Sequence, residues 1–360
     1  MTVSSARLAS VEQASSGLAP RPGTNLLYNG AMNIAQRATS AAGITTSGYY
    51  TLDRWQVFNN AAGTWTMTQE SDGPAGFKNS LKMECTSGNT PGTTDYLQIR
   101  QDLEGRDLQA IRKGTAEALP LTLSFWVKSN KTGTYIAELR DVDNGTYASR
   151  AYTIDSAGVW EHKTVTVPAD TTGTLDDDSS SSFGVQFWLY AGSYYSSGTL
   201  QSGWFTSQND RAPGQVDLGD AVSNYWQVTG VQLEVGPVAT DFQHLSYGDE
   251  IIRCERYYQR LQFFSAFGEG TTRMWSCWPF RTEMRTETTT LVKLVGETIY
   301  YRSAGASDQS FTVSSTSGAA GENCYYTVGM NGVTGLTDGH PYVPRGYDGG
   351  TYPMELDDEL

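Results

Sequence analysis

Two clusters of aspartates are the residues best placed for acid–base or metal chemistry. Asp141 and Asp143 stand in the phrase Asp-Val-Asp-Asn-Gly, and three aspartates in a row occupy 176–178. A glycosidase needs two carboxylates about 5–10 Å apart, and calcium takes carboxylate and carbonyl oxygens. Asn-Gly, however, is a strong hairpin signal, and four serines follow the aspartate run. We interpret the first cluster as a turn and the second as a solvated loop, and we assign no catalytic residue and no metal ligand.

The remaining reactive side chains match no enzyme motif. The three histidines, His162, His244 and His340, fall in no zinc-hydrolase pattern. The sequence contains no Gly-x-Ser-x-Gly elbow, no Walker loop and no dinucleotide-binding glycine motif. The four cysteines form no Cys-x-x-Cys pair, so we expect buried free thiols made in a reducing cytoplasm. These patterns predict a protein that is not an enzyme and uses no cofactor.

Sugar binding is the chemistry that the sequence favours most. Sugars stack their apolar faces on aromatic rings, while amides and carboxylates hold the hydroxyls. Region 190–210 combines both kinds of side chain. The candidate glycan-binding residues are Tyr194, Tyr195, Trp204, Gln208, Asn209 and Asp210. The alternative is that these rings cover a sheet or a subunit interface, where aromatic residues are also enriched.

The C-terminal part of the chain offers a rival recognition surface. It is rich in glycine and tyrosine, a composition that suits adaptable binding loops. The candidate recognition residues at this end are Tyr325, Tyr326, His340, Tyr342 and Tyr347.

The composition of the chain excludes some classes of binding partner. The 360 residues carry a net charge of -14, which argues against binding to nucleic acid or to an anionic membrane, since both need clustered Lys and Arg. Charged residues make up 18% of the chain, below the typical ~25%, and the mean hydropathy is -0.42. No run approaches the ~20 apolar residues of a membrane span, and residues 1–20 lack the apolar core of a secretory signal. We expect neither nucleic-acid binding nor membrane insertion.

Alternating apolar and polar residues predict the elements that must position these side chains. The clearest period-two runs before residue 245 lie at 64–68, 121–127, 135–139, 163–167, 183–190 and 225–235. Further strands are predicted at 274–280, 288–295, 298–302, 310–313 and 324–330. Such runs, separated by Gly, Asn and Asp, predict an all-β protein with two packed antiparallel sheets. We place a sandwich at 24–247 and a second, smaller β domain at 263–360.

A short helix is predicted between the two β regions, within 248–262. Ile251, Cys254, Tyr258 and Leu261 recur at three- and four-residue steps and form one apolar stripe. The stripe either packs the helix on the sandwich as a linker or faces the axis of a three-helix bundle as a trimer contact, and only the family resemblance described below favours the trimer contact.

Residues 1–23 are predicted to be a partner-binding arm. They are small and polar, and Pro20 and Pro22 end the segment. A short helix there would be unstable alone in water. The segment is thus either an arm that orders on a partner or a disordered tail.

Several motifs in order resemble a domain found in bacteriophage tail-fibre and receptor-binding proteins. They are Asn-Leu-Leu-Tyr-Asn-Gly at 25–30 with Gln-Arg at 36–37, and the segments 48–55, 121–128, 230–236 and 241–259. The chain departs from the family pattern at Gln243 and Leu245, so an ion pair made there in relatives is absent here. The resemblance implies a jelly-roll sandwich similar to carbohydrate-binding modules, followed by a distal domain. It also implies a homotrimer mounted on a phage virion.

The resemblance therefore implies a virion protein, assembled in the host cytoplasm, that forms a tail fibre and attaches to host-surface polysaccharide. The arm would bind adaptor or nozzle proteins of the phage tail, and three weak sites would gain avidity on one scaffold. One alternative is a capsid or tail decoration or adaptor protein that binds no ligand. The other is a tailspike that depolymerises the surface polysaccharide.

Overall fold

A computed structural model gives the fold of the chain. The described residues are 24–261, 265–286, 290–293, 298–302, 309–312, 315–321, 325–331, 333, 336, 341–347 and 354–360. The predicted arm at 1–23 and His340 lie outside them. The chain divides into two compact units, with the division between Leu245 and Ser246.

Two antiparallel sheets of six strands each build the first unit. In chain order the strands are β1 Ser40–Ile44, β2 Gly48–Tyr49, β3 Gln56–Asn60, β4 Thr64–Glu70, β5 Ser80–Ser87, β6 Tyr96–Glu104, β7 Leu121–Ser129, β8 Gly133–Asp141, β9 Thr146–Ile154, β10 Glu161–Val167, β11 Ser181–Ala191 and β12 Tyr225–Val235. The first sheet has the order β1-β4-β5-β12-β7-β10, and the second has the order β2-β3-β6-β11-β8-β9. The predicted antiparallel jelly-roll sandwich is confirmed.

Side chains that alternate along the central strands form the core between the sheets. Phe125 of β7 meets Phe187 of β11 at a ring-centroid distance of 5.0 Å, and Trp226 of β12 meets the same ring at 5.3 Å. All three side chains are fully buried. Because successive residues of a strand point to opposite faces, every second residue of the second sheet points away from this core.

The opening Asn-Leu-Leu-Tyr-Asn-Gly segment fastens the start of the sandwich to its closing strand. The side-chain oxygen of Asn25 accepts from the amide of Leu233 at 3.0 Å, and its amide group donates to the Val231 carbonyl at 3.0 Å. A Cβ atom on Gly30 would lie 2.2 Å from that same carbonyl oxygen. Glycine is therefore required at position 30, because the backbones of Gly30 and Val231, 201 residues apart in sequence (30 to 231), approach each other closely.

The second unit holds a helix and two further sheets. Its strands are β13 Tyr258–Leu261, β14 Ser265–Glu269, β15 Arg273–Pro279, β16 Thr290–Lys293, β17 Thr298–Arg302, β18 Gln309–Thr312, β19 Ser315–Gly321, β20 Tyr325–Asn331, β21 Pro341–Tyr347 and β22 Met354–Asp357. One sheet has the order β13-β22-β16 and the other β18-β17-β21-β14-β15-β20-β19. Two α-helices complete the described elements, α1 Ser193–Ser196 in the first unit and α2 Tyr247–Glu255 in the second.

Helix α2 is shorter than the helix that we predicted. It starts at Tyr247 after the N-cap Ser246, whose hydroxyl accepts from the amide of Asp249 at 3.1 Å. It ends at Glu255, and Tyr258–Leu261 form strand β13 instead of a last helical turn. β13 pairs with β22 near the end of the chain, and this non-local pairing overrides the local helical periodicity.

The predicted trimer contact is corrected for the same reason. Cys254 is 0% exposed and Tyr258 is 1% exposed within a single chain, so neither side chain is free to line a three-fold axis. Tyr258 and Leu261 lie on β13 and do not continue the stripe of Ile251 along a helix. The four residues therefore do not form the single helical stripe that the sequence predicted.

Two smaller predictions concern the thiols and membrane spans. Cys85 and Cys254 are buried free thiols, as predicted, while Cys324 lies outside the described residues. Among the described helices, none is long and apolar enough to cross a bilayer.

Candidate glycan-binding site

The site lies on the face of the second sheet that points away from the core, which we call the outer face. Along β11, Gln186 and Trp188 alternate with the core residue Phe187. The register places Gln186 between Arg100 of β6 and Glu138 of β8. Polar and aromatic side chains from several strands therefore share the outer face.

One half of the outer face is covered by the segment 192–217, which we call the covering loop. Trp188 and Ile136 are fully buried beneath it, against Ala212. Arg211 of the loop donates to both carboxylate oxygens of Glu138, with the closest contact at 2.7 Å. This charge pair fixes the loop to the sheet.

Arg211 is also held by aromatic rings. Its guanidinium carbon lies 3.9 Å from the centroid of the Tyr147 ring and 5.0 Å from that of Trp188. Burial alone would lower the pKa of Arg211, but the carboxylate of Glu138 raises it above the usual value. Arg211 therefore stays charged, and its role is to anchor the covering loop.

The other half of the outer face carries the aromatic patch, defined by Phe58, Tyr96, Tyr194 and Tyr195. Phe58 and Tyr96 stack at 5.5 Å with an interplanar angle of 17°. Tyr195 meets Tyr96 edge-on at 5.5 Å, and Tyr194 is 48% exposed. The patch is thus a row of rings that starts half-buried on β3 and continues onto the exposed turn of α1.

Polar side chains surround the rings. Gln56 accepts from Nε of Arg100 at 2.8 Å, and the Arg100 guanidinium lies 3.8 Å from the centroid of the Phe58 ring. Burial raises the pKa of Tyr96 and of Tyr195 above the usual value, so both hydroxyls remain protonated at neutral pH and can donate and accept. Flat rings beside hydroxyls and amides are the combination that binds the two chemical faces of a sugar.

The structure divides the six predicted glycan-binding residues into two groups. Tyr194 and Tyr195 lie in α1 and belong to the aromatic patch. Trp204 donates its ring N–H to the Pro168 carbonyl at 3.0 Å, and its ring packs near Phe183 at 5.9 Å. Trp204 is therefore placed away from the patch.

The other three residues form a short 3₁₀ turn at Gln208–Asp210 inside the covering loop. Gln208 donates to the Tyr147 hydroxyl at 3.2 Å, and Asp210 accepts from the Thr199 amide at 2.8 Å. Asn209 accepts from the hydroxyl of Ser207. These bonds hold the loop in shape.

The candidate residues of the C-terminal surface are spread over two strands. Tyr325 and Tyr326 lie on β20, and Tyr342 and Tyr347 lie on β21. β14 and β15 lie between these two strands in the sheet. At the usual strand spacing, β20 and β21 are therefore about 14 Å apart. The backbone therefore does not bring the two pairs together.

Sequence reasoning missed Phe58, Tyr96 and Arg100. The alternation in Tyr-Leu-Gln-Ile-Arg at 96–100 indicates which side chains leave the core. It does not indicate which other strand lies beside them. Only the register, in which Phe58 opposes Gln98 and Asn60 opposes Tyr96, brings the two rings together.

The aspartate clusters take structural roles. Asp141 ends β8, and 142–145 form the predicted turn to β9. Asp141 accepts from the ammonium of Lys113 at 2.5 Å, and 176–178 lie in an exposed loop, as predicted. Within the described residues, no group of three or more His, Cys, Asp or Glu could hold a metal ion.

Comparison with known proteins gives structural likenesses without a family. No protein-family model matches the chain, and no curated protein matches it. The enzymatically active domain of tailspike protein 4 of bacteriophage CBA120 is similar at TM-score 0.30 and 12% identity, over 59% of this chain and 21% of that one. TmCBM61, solved with β-1,4-galactotriose, is similar at TM-score 0.31 and 10% identity, and the match covers 59% of this chain and 99% of that one. The tandem CBM22-1–CBM22-2 domain of Xyn10C from Paenibacillus barcinonensis is similar at TM-score 0.29 and 10% identity, and the match covers 95% of this chain and 97% of that one.

Proposed function

We propose that this chain is a non-enzymatic glycan-binding protein whose aromatic patch attaches a phage tail fibre to polysaccharide on the host surface. The observation that carries the glycan-binding part is the row of Phe58, Tyr96 and Tyr195 on the outer face. These rings are half-buried and lie beside amides and an arginine, where a sugar could meet both apolar and hydrogen-bonding groups.

The patch is preorganised for this task. Phe58 and Tyr96 lie on neighbouring strands, β3 and β6, and Arg100 stacks on Phe58 from one side. Tyr195 is held by Trp188 at 5.2 Å from below. Rings that are already ordered lose little conformational entropy on binding, which favours recognition of a flexible glycan.

Binding is favoured over hydrolysis because the nearby carboxylates are already paired. Glu138 is 1% exposed and binds Arg211, and Asp102 is 3% exposed and lies 3.4 Å from Arg100. A retaining or inverting glycosidase needs an acid and a second carboxylate that both reach the glycosidic bond. A depolymerase function would have to use other residues.

The fibre role rests on the resemblance to phage tail-fibre domains in the sequence. In this proposal the chain forms a homotrimer on the virion, residues 1–23 bind the tail, and each chain contributes one weak glycan site. Three such sites on one scaffold gain avidity without any new contact. A decoration or adaptor protein remains the alternative, and it needs no exposed aromatic patch.

Affinity electrophoresis of the purified chain in gels with bacterial surface polysaccharides tests the glycan-binding part. We expect at least one polysaccharide to retard the chain, and Phe58→Ala to weaken that retardation about tenfold, since burying an aromatic ring contributes about 1.5–3 kcal/mol. The matched control is Trp126→Ala on the outer side of the first sheet, where Trp126 packs against His162 at 5.1 Å. Equal retardation of wild type and Phe58→Ala would contradict the patch, and the absence of retardation by any polysaccharide would support the decoration protein.

A further inference from the structure

A cavity of about 380 Å³ lies beyond the end of β6, away from the aromatic patch. Its walls come from two segments, residues 108–117 after β6 and residues 174–175 before β11. Tyr96 of the patch is the first residue of β6, and this strand spans about 26 Å at the usual rise per residue. The cavity is therefore a separate place on the sandwich.

The walls of the cavity are fixed by the fold itself. The amide of Gly114 donates to the Asp170 carbonyl at 3.0 Å, and the amide of Arg106 donates to the Asp178 carbonyl at 3.1 Å. A Cβ atom on Gly114 would lie 2.7 Å from the backbone nitrogen of Thr174, so the two segments touch there. Small-molecule sites are usually preformed in this way, with volumes from about 300 Å³ upwards.

Arg112, in the wall of the cavity, has a strained backbone. Its φ of 55° and ψ of 29° lie in the left-handed region, which residues other than glycine adopt at a cost. The next residue, Lys113, is fixed by two carboxylates and two backbone carbonyls. Such strain persists only where the surrounding structure enforces it, and it is concentrated at ligand sites. The bonds of Lys113 therefore hold Arg112 in place at the cavity.

The lining of the cavity combines an apolar side with hydrogen-bonding groups. Leu108 is 2% exposed and Leu175 is half-buried, and together they form the apolar side. Glu117 contributes a carboxylate and Thr174 a hydroxyl. Within the described residues, neither of these two polar groups has a hydrogen-bond or ion-pair partner, so both are available to a ligand.

The charges of the lining favour a neutral ligand. The ammonium of Lys113 has three N–H groups and already has four oxygen atoms within 2.9 Å, so it has no donor left for an anion. Arg112 and Glu117 carry opposite charges. An anion would be repelled by the carboxylate and a cation by the guanidinium, whereas hydroxyl groups both donate and accept. A molecule with several hydroxyls and an apolar face fits this lining.

We propose that this cavity is a second glycan site, which binds one neutral sugar residue at a chain end or on a side branch. The apolar face of the sugar would lie on Leu108 and Leu175, and its hydroxyls would bond with Glu117 and Thr174. The lining shares no residue with the aromatic patch, so this site does not depend on the proposed function of the patch. A polysaccharide that reaches both sites would gain avidity within one chain.

Methyl-resolved NMR of the full chain tests the assignment, with the methyl glycosides of glucose, galactose, mannose and N-acetylglucosamine as probes. We expect at least one probe to shift the methyl signals of Leu108 and Leu175. The double variant Glu117→Gln with Thr174→Val should weaken that binding about tenfold, because it removes a charged acceptor and a hydroxyl. Thr171→Val alters an exposed threonine of the same segment outside the lining, and this matched control should bind like the wild type.

The outcomes separate the cavity from the aromatic patch. If no probe shifts these methyl signals, or if glucuronate or glucosamine binds there more tightly than every neutral probe, the neutral-sugar site is wrong. If Phe58→Ala abolishes the binding and the double variant keeps it, the sugar binds at the patch and the cavity assignment is wrong. Methyl shifts that persist in Phe58→Ala and weaken in the double variant would support the second site, whether or not the patch binds glycan. Unfolding curves of all variants should match the wild type, since the altered cavity residues are exposed.

Discussion

Four oxygen atoms surround the ammonium of Lys113 at one end of the sandwich. They belong to Asp141 at 2.5 Å, Asp170 at 2.9 Å, and the carbonyls of Thr172 and Gly173 at 2.8 Å each. The Lys113 side chain is 2% exposed. Two carboxylates and two carbonyls are also the kinds of ligand that calcium prefers. Here the lysine supplies the positive charge.

Replacing Lys113 with Met should therefore destabilise the first unit strongly. The variant would leave two carboxylates close together without their cation, and breaking a buried ion pair in this way costs about 3–5 kcal/mol. Urea denaturation measures the loss of unfolding free energy. The matched control Lys78→Met should stay within about 0.5 kcal/mol of wild type, and a loss below about 1 kcal/mol for the Lys113 variant would show that the cage is not structural.

The same cage predicts how stability depends on pH. Burial would raise the pKa of Asp170, but hydrogen bonds from Thr172 and Lys113 hold it below the usual value. Folding therefore favours the carboxylate, so its contribution is complete above the unfolded pKa of about 4 and is lost as the pH falls through the folded pKa. The difference in melting temperature between wild type and Asp170→Asn should narrow from about pH 5 to pH 2. A difference in melting temperature that stays constant over that range would contradict the lowered pKa of Asp170.

At the scale of elements, the covering loop depends on the pair of Arg211 and Glu138. Arg211→Met should cost about 3–5 kcal/mol, because it leaves the carboxylate of Glu138 buried and unpaired. The double variant Arg211→Met with Glu138→Leu removes both charges and should be more stable than the single variant in urea denaturation. If the double variant loses at least as much unfolding free energy as the two single variants together, the interaction between Arg211 and Glu138 contributes little to stability.

The strands could be predicted from the sequence, but only Tyr194 and Tyr195 of the aromatic patch could. Alternation at 121–127 and 225–235 predicts β7 and β12 to within a few residues, because the pattern and the element are both local. The helix was extended wrongly through Tyr258, since the pairing of β13 with β22 joins residues almost 100 positions apart (258 with 357). Phe58 and Tyr96 meet for the same non-local reason, so no spacing in the sequence indicates their stacking.

For the whole molecule, the oligomeric state decides whether weak sites can act together. We expect light scattering to give a mass close to three times 39.3 kDa, because a fibre needs several sites on one scaffold. A stable monomer at micromolar concentration would contradict a free-standing trimeric fibre. It would favour a subunit that assembles only on the particle.

Hydrogen–deuterium exchange shows whether the outer face of the second sheet binds glycan. The chain would be labelled with and without a saturating polysaccharide chosen by electrophoresis. We predict slower exchange in β3, β6 and α1, whose residues carry the patch, and no change in β4, β5 and β7 of the first sheet. Protection confined to the first sheet or to residues after 245 would contradict the site.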